Sequence, residues 1–276
     1  MINEVLHVFR NTPFGKEAYL QSIYFSKTTG MNLKVYIPEH PQFLMYFPTA
    51  VVTIDLDASF LRSRNTARDH ALELARERDV TISFLHPTEF TASTLPDIPV
   101  DFGVMCCPRS ISDMSTKITL GHIGPRVREI AQHAEFPVLI PTMVYKEWKR
   151  IVVFFGGSKN AETALRVGYS LRKKTGLPLT LFTYVTHKPR DQYIKRMQDA
   201  GLYEPIESGE VEWLFMEHQD LKDALYEIQH DALAVIGTYG HGIVKELLFG
   251  SFMESVQKML PNNLLIVGPH CRGLEF

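Results

Sequence analysis

The stretch Asp231–Pro269, DALAVIGTYGHGIVKELLFGSFMESVQKMLPNNLLIVGP, decides how this chain is read. An apolar run, Leu233–Ile236, passes directly into Gly237. Gly240 and Gly242 follow, then Gly250 and Ser251, where a helical pattern begins. A second apolar run, Leu264–Val267, closes the unit. The spacing predicts strand, glycine loop, helix and parallel strand. Such a loop collects backbone N–H groups beside a helix N-terminus, where unpaired donors and the helix dipole favour an anion. The residues equally fit a plain capped turn, since Ser251 and Glu254 have the spacing of a capping box. Chemistry alone leaves both readings open.

Working outward, the 276 residues suit two units of about 140. Hydrophobic residues make up 45% and charged residues 22%, enough for each half to bury a core. A net charge of −2 provides no electrostatic footprint for nucleic acid. No apolar run approaches a membrane span, and the start, MINEVLHVFR, lacks the layout of a signal peptide. The three cysteines, Cys106, Cys107 and Cys271, have no framework spacing and fit a reducing, cytoplasmic setting.

The two halves match each other. Val5–Phe9 falls on Ile151–Phe155 at an offset of 146, and the same offset carries Gly30 to Gly176 and Leu33–Tyr36 to Leu179–Phe182. Both glycines have the place of helix C′ residues. The offset then falls to 131, placing Val80–Leu85 on Val211–Met216 and Gly103–Met105 on Ala234–Ile236. The difference assigns 15 extra residues to the first half near Phe43–Asp57, where Ala50–Ile54 reads as an additional strand. Helices are predicted over Arg64–Arg78, Arg190–Gly201 and Asp220–His230. Strands alternating with helices indicate an α/β fold with a parallel sheet covered on both faces, doubly wound in the Rossmann manner. Ligands in such sheets bind at the carboxyl ends of strands, where strand order reverses.

Gly237-x2-Gly240-x9-Gly250-Ser251 resembles the glycine signature of the universal stress protein family, strongly in the second half and weakly in the first. The resemblance implies two tandem Rossmann-like domains of the adenine nucleotide alpha hydrolase-like type, residues 1–146 and 147–276. Each would hold a mostly parallel five-stranded sheet of order 3-2-1-4-5. It also implies an ATP site in the second half, with Mg2+ accompanying the nucleotide. Gly237, Thr238, Gly240, Gly250, Ser251 and Phe252 would cradle phosphate, and Gly156 and Gly157 would line the nucleoside side. Gly156 departs from the family's pattern, which carries an aspartate there; one polar contact is lost, worth on the order of 1 kcal/mol. The family associates through its last strands, here Val138–Pro141 and Leu264–Val267, so a homodimer or an intrachain pseudo-dimer is expected.

At the offset of 131, Gly237 aligns with Cys106, Gly240 with Arg109, Gly250 with Gly121 and Ser251 with His122. Pro108 and Arg109 bring backbone to a phosphate less readily than glycine, so the first half is expected to bind triphosphate poorly or not at all. A rival reading makes Arg109 and His122 an anion site of side chains. Ser158 and Asn160 are candidates either for replacing the aspartate or for capping a helix.

No Gly-x4-Gly-Lys-Ser/Thr, Gly-x-Ser-x-Gly, His-Glu-x2-His or paired Cys-x2-Cys occurs, so no catalytic residue and no metal site is assigned. His241, inside the glycine loop, is the one histidine placed to face a phosphate. Three functional readings follow: a nucleotide-binding regulatory stress protein, an interaction module of the same fold that binds no nucleotide, and a slow ATPase.

Overall fold

The structure is a computed structural model that describes residues 2–87, 94–111, 123–185, 188–217, 220–238, 256, 259–274 and 276. In the first half, β1 (Glu4–Val8) leads into α1 (Pro13–Thr29) and β2 (Asn32–Tyr36). Then come β3 (Gln42–Phe47), β4 (Ala50–Asp55), α2 (Ala58–Leu61), α3 (Arg64–Arg76) and β5 (Ile82–Leu85). β6 (Asp97–Ile98), β7 (Val104–Cys106), α4 (Pro125–His133) and β8 (Val138–Ile140) complete this half. The second half runs β9 (Arg150–Phe154), α5 (Lys159–Thr175), β10 (Leu179–Tyr184), α6 (Arg190–Asp199) and α7 (Glu204–Glu207). It ends with β11 (Glu212–Met216), α8 (Leu221–Tyr226), β12 (Ala232–Gly237) and β13 (Asn263–Val267). The helix expected from Ser251 lies outside the described residues.

Local chemistry sets the repeated first unit. Thr12 and Ser158 cap α1 and α5 by accepting the backbone N–H of Gly15 and Ala161, each at 3.1 Å. Gly30 and Gly176 end the same helices in the left-handed region, at φ 70° and 71°, as their sequence positions predicted.

Ten strands form one α/β sheet, in the order β11-β10-β9-β12-β13-β8-β7-β1-β2-β5. Every pair in it is parallel except β13 with β8, where Leu264 faces Ile140, Leu265 faces Leu139 and Ile266 faces Val138. The last strands of the two halves therefore sit at the centre of the sheet and are satisfied within the chain. Alternate residues enter two cores, one on each face. Leu6, Met105, Phe154 and Ile266 join one; Val5, Cys106, Val153 and Leu265 join the other. Both cores cross from half to half.

The connecting segment is held from both sides. Asn263, buried, accepts the Thr142 N–H at 3.0 Å and donates to the Lys146 carbonyl at 3.1 Å. From α1, Glu17 accepts the Tyr145 N–H at 2.6 Å, Gln21 accepts the Lys146 N–H at 3.2 Å, and the Tyr24 hydroxyl donates to the Trp148 carbonyl at 2.6 Å.

Strand register corrects the alignment of the halves. β1–β2 and β9–β10 pair in one register, Val5 with Leu33 and Ile151 with Leu179, so the offset of 146 holds. Val5 also faces Val104, whereas Ile151 faces Leu233, an offset of 129. Ser83 beside Lys34 and Glu212 beside Thr180 give 129 again. Cys106 beside Leu139 and Val235 beside Leu265 then set the last strands, β8 and β13, at an offset of 126. Gly237 thus corresponds to Pro108, not Cys106, and at this offset Gly240 falls on Ile111. The first half carries 17 extra residues, the fall from 146 to 129. These do not add a strand to the main sheet. β3 and β4 form an antiparallel hairpin that pairs with β6 into a separate three-stranded sheet. Phe43, Met45, Val52 and Ile54 press it onto the core that also holds Leu6 and Ile266.

The three cysteines are buried, which pushes the Cys106 thiol up to about 12 and that of Cys271 to about 11. His7, paired across the sheet with Cys106, is 1% exposed, with Nδ1 2.7 Å from the Ser22 hydroxyl and its ring 5.1 Å from that of Tyr19. Burial lowers its pKa to about 3 from the ordinary 6.5. Below pH 6.5 the unfolded chain binds a proton that the folded chain refuses, so stability falls as pH drops toward 3. The slope is about 1.4 kcal/mol per pH unit, roughly 2 kcal/mol between pH 6.5 and 5. Urea unfolding across that range is expected to show this loss, and His7→Leu to remove it.

Candidate functional site

The chain leaves β9 toward β10 and β11 on one side and returns as β12 and β13 on the other. Strand order therefore reverses over β9, and a crevice lies at the carboxyl ends of β9 and β12. Its floor is Gly156-Gly157-Ser158 after β9 and Gly237-Thr238 at the end of β12.

Each of these residues has its own environment. Gly156 is exposed, and a Cβ placed on it would meet no atom of the described residues within 4 Å. Gly157 adopts φ +70°, and a Cβ there would lie 3.4 Å from the Tyr193 ring and 3.9 Å from the Lys188 Nζ. Gly237 is required by packing, because a Cβ would fall 2.4 Å from the Asn160 carbonyl oxygen. That contact lets α5 close onto β12. Thr238 is fully buried; its N–H donates to the Val267 carbonyl at 2.8 Å and its hydroxyl to the same oxygen at 3.3 Å. Its side chain is turned inward. Ser158 caps α5, and the Asn160 side-chain amide donates to the Thr238 carbonyl. So Ser158 is a cap, while Asn160 joins helix to strand. Gly240, His241, Gly250, Ser251 and Phe252 lie outside the described residues.

The wall beyond Gly157 comes from α6. Tyr193 packs edge-on to Phe215, with ring centres 6.4 Å apart, and the Arg190 guanidinium lies 4.2 Å over Phe215. Glu162, 3% exposed in the first turn of α5, is 2.5 Å from Arg196 and 3.4 Å from Lys159, which ties α5 to α6. Sequence reasoning passed over Lys188 and Tyr193. The available signal was the strand order, because the loop after a strand beside the switch point borders the crevice.

The matching place in the first half is filled. Arg10 stands where Gly156 does, Asn11 where Gly157 does and Thr12 where Ser158 does. Arg10 Nη1 lies 3.3 Å from Asp57 Oδ2, and its guanidinium is 5.3 Å over the Phe60 ring. The Asp57 N–H donates to the Ile111 carbonyl at 3.3 Å, and Oδ1 accepts the Ser59 N–H at 2.7 Å. Asp57, Phe60 and Ile111 are 5%, 1% and 1% exposed. The segment that follows the inserted hairpin therefore bridges the exits of β1 and β7. Asn11 binds Ser63, Thr66 and His70, joining this corner to α3. The Arg109 carbonyl accepts the Gly124 N–H at 2.7 Å, and burial lowers the Arg109 pKa. Gly121 and His122 lie outside the described residues.

Elsewhere, a cleft of about 650 Å3 lies at the amino ends of first-half strands, lined by Phe47, Phe102, Phe136 and Leu274. Among the described residues no three His, Cys, Asp or Glu side chains gather as a metal site, and no helix is long and apolar enough to cross a membrane.

No protein-family model matches the chain, and no curated protein matches it. Solved structures do. A universal stress protein from Archaeoglobus fulgidus DSM 4304 superposes with a TM-score of 0.63 at 16% identity, over 96% of this chain and 98% of that one. A protein of Pseudomonas aeruginosa UCBPP-PA14, provisionally named a universal stress protein, gives 0.58 at 13% identity, over 98% and 94%. A functionally unknown protein of Pseudomonas aeruginosa PAO1 gives 0.56 at 12%, over 98% and 93%. The chain has the α/β fold of universal stress proteins. At these identities the likeness is one of fold.

The first-half bridge yields a stability prediction. Asp57→Ala leaves the partly buried Arg10 without its carboxylate and uncaps α2. It is expected to cost about 2–4 kcal/mol in urea unfolding. A loss below 0.5 kcal/mol would show that the bridge holds nothing.

Proposed function

We propose that the chain is a tandem universal stress protein, with domains 1–146 and 147–276, acting in the cytoplasm as a nucleotide-binding regulatory module. It binds one ATP, with Mg2+, in the second half. Its two halves form an intrachain pseudo-dimer through β8 and β13. One observation carries this reading: two crevices of the same topology are unequally equipped. The first is filled by Arg10, Asp57, Phe60 and Ile111. In the second, no described residue lies within 4 Å of a Cβ on Gly156, and the sequence after β12 carries the glycine signature Gly237, Gly240, Gly250, Ser251. Gly156 and Gly157 admit the nucleoside. Gly240, Gly250, Ser251 and Phe252 supply backbone donors to phosphate, and Gly237 and Thr238 anchor the loop to β12. Binding serves as a state rather than a reaction step.

Calorimetric titration with Mg-ATP tests the proposal, together with mass spectrometry of ligand released from the purified protein. The expected stoichiometry is one ATP per chain, abolished by Gly240→Arg. Gly156→Asp meets no described residue within 4 Å of its Cβ and restores the carboxylate of the family pattern. It is expected to leave the melting temperature within about 2 °C and to strengthen ATP binding about fivefold, the worth of one hydrogen bond of about 1 kcal/mol. No binding up to millimolar ATP would leave an interaction module of the same fold.

A further inference from the structure

Thr238, the residue after β12, is held by three hydrogen bonds. Val267 receives both the N–H and the hydroxyl of Thr238, at 2.8 and 3.3 Å, and the Asn160 side-chain amide is bound to the Thr238 carbonyl. Thr238 is fully buried and Asn160 8% exposed, so these bonds lie away from competing water. The same Asn160 contributes its main chain: its carbonyl oxygen occupies the space that a Cβ on residue 237 would need, 2.4 Å away. Gly237 and Asn160 are therefore complementary halves of one contact. The glycine admits the helix, and the helix then holds the chain where it leaves the strand.

Neither half of this contact exists at the corresponding place in the first half. Asn160 corresponds to Phe14, 59% exposed and without a polar side-chain atom, and Gly237 corresponds to Pro108. The contact accompanies the crevice that the described residues leave free at Gly156 and is missing from the one that Arg10 and Asp57 fill. Ser158 already caps α5, so the Asn160 amide is not needed for the cap.

We propose that Asn160 is a positioning residue for nucleotide binding: it fixes the position and direction in which the chain leaves β12 for the glycine signature, and so sets affinity for the phosphates without touching them. This rests on the nucleotide reading of the second crevice. An orientation fixed before binding lowers the ordering cost that a ligand must otherwise meet.

The test is titration with Mg-ATP of the full chain and its variants at pH 8 and pH 5.5, each compared with the wild type at the same pH. Asn160→Asp keeps the size but sets a carboxylate against the Thr238 carbonyl. At low pH the protonated acid donates again. The expected result for Asn160→Asp is at least tenfold weaker binding at pH 8, narrowing to threefold or less at pH 5.5. Asn160→Ala is expected to lose tenfold at both. Asn160→Ser supplies a milder variant, with the same expected loss at pH 8, should the aspartate variant not fold. Gly176→Ala strains the far end of α5 at φ +71° and lowers stability, yet is expected to bind within twofold of wild type. Variants at Asn160 that bind within twofold of wild type at pH 8, or an aspartate deficit unchanged by pH, would overturn the positioning role alone. A wild type that binds no ATP would overturn the nucleotide reading and this inference together.

Discussion

The antiparallel pairing of β8 with β13 is the contact on which this architecture depends. It joins two parallel half-sheets into one sheet of ten strands, and it lets each core run unbroken from one half to the other. Without it, two strands of almost wholly apolar residues would present unpaired N–H and C=O groups at an edge, an aggregation hazard. With it, neither last strand is an edge, and among the described residues the edges of this sheet are β5 and β11. Because the pair is antiparallel, the carboxyl ends of the strands in the two halves point in opposite directions. The two crevices therefore open at opposite margins of the sheet, and nothing about the fold forces them to share a ligand or a chemistry.

They have in fact been built differently. In the first half an ion pair, a cation–π contact and a backbone hydrogen bond use the space between the β1 and β7 exits. All three involve the residues that follow the β3–β4 hairpin, through Asp57 and Phe60. The bridge supplies internally the polar partners that a bound ligand would otherwise provide. In the second half Gly156 stands where Arg10 does, and among the described residues nothing lies within 4 Å of a Cβ placed on it.

Much of this was legible in the sequence, because parallel strands buried on both faces are near-continuous apolar runs and their repetition is visible without structure. The helix caps and the C′ glycines were readable for the same local reason. The alignment of the later strands was not. Side chains alternate with a period of two along a strand, so a slip of two residues keeps every apolar residue on its proper face. Offsets of 131 and 129 look equally good to pattern, and strand register separates them, as in Val5 with Val104 and Ile151 with Leu233. The inserted strand Ala50–Ile54 was recognised as β4, but its hairpin partner β3 was not, and the further pairing of β3 with β6 spans more than 50 residues. Gly237 shows a further limit. It was read toward a ligand, whereas the closest atom it accommodates is the carbonyl oxygen of Asn160. A glycine that admits a helix and a glycine that admits a phosphate look alike until the helix is in place.

The most direct test of the unequal crevices is photoaffinity labelling with an azido-ATP analogue, followed by peptide mapping. The account predicts ATP-protectable label only on peptides from residues 147–276, concentrated near Gly156–Ser158, Lys188 and Tyr239–Phe252. Protectable label on peptides around Arg10, Asp57 or Arg109 would show that the first crevice is open in solution and would contradict it.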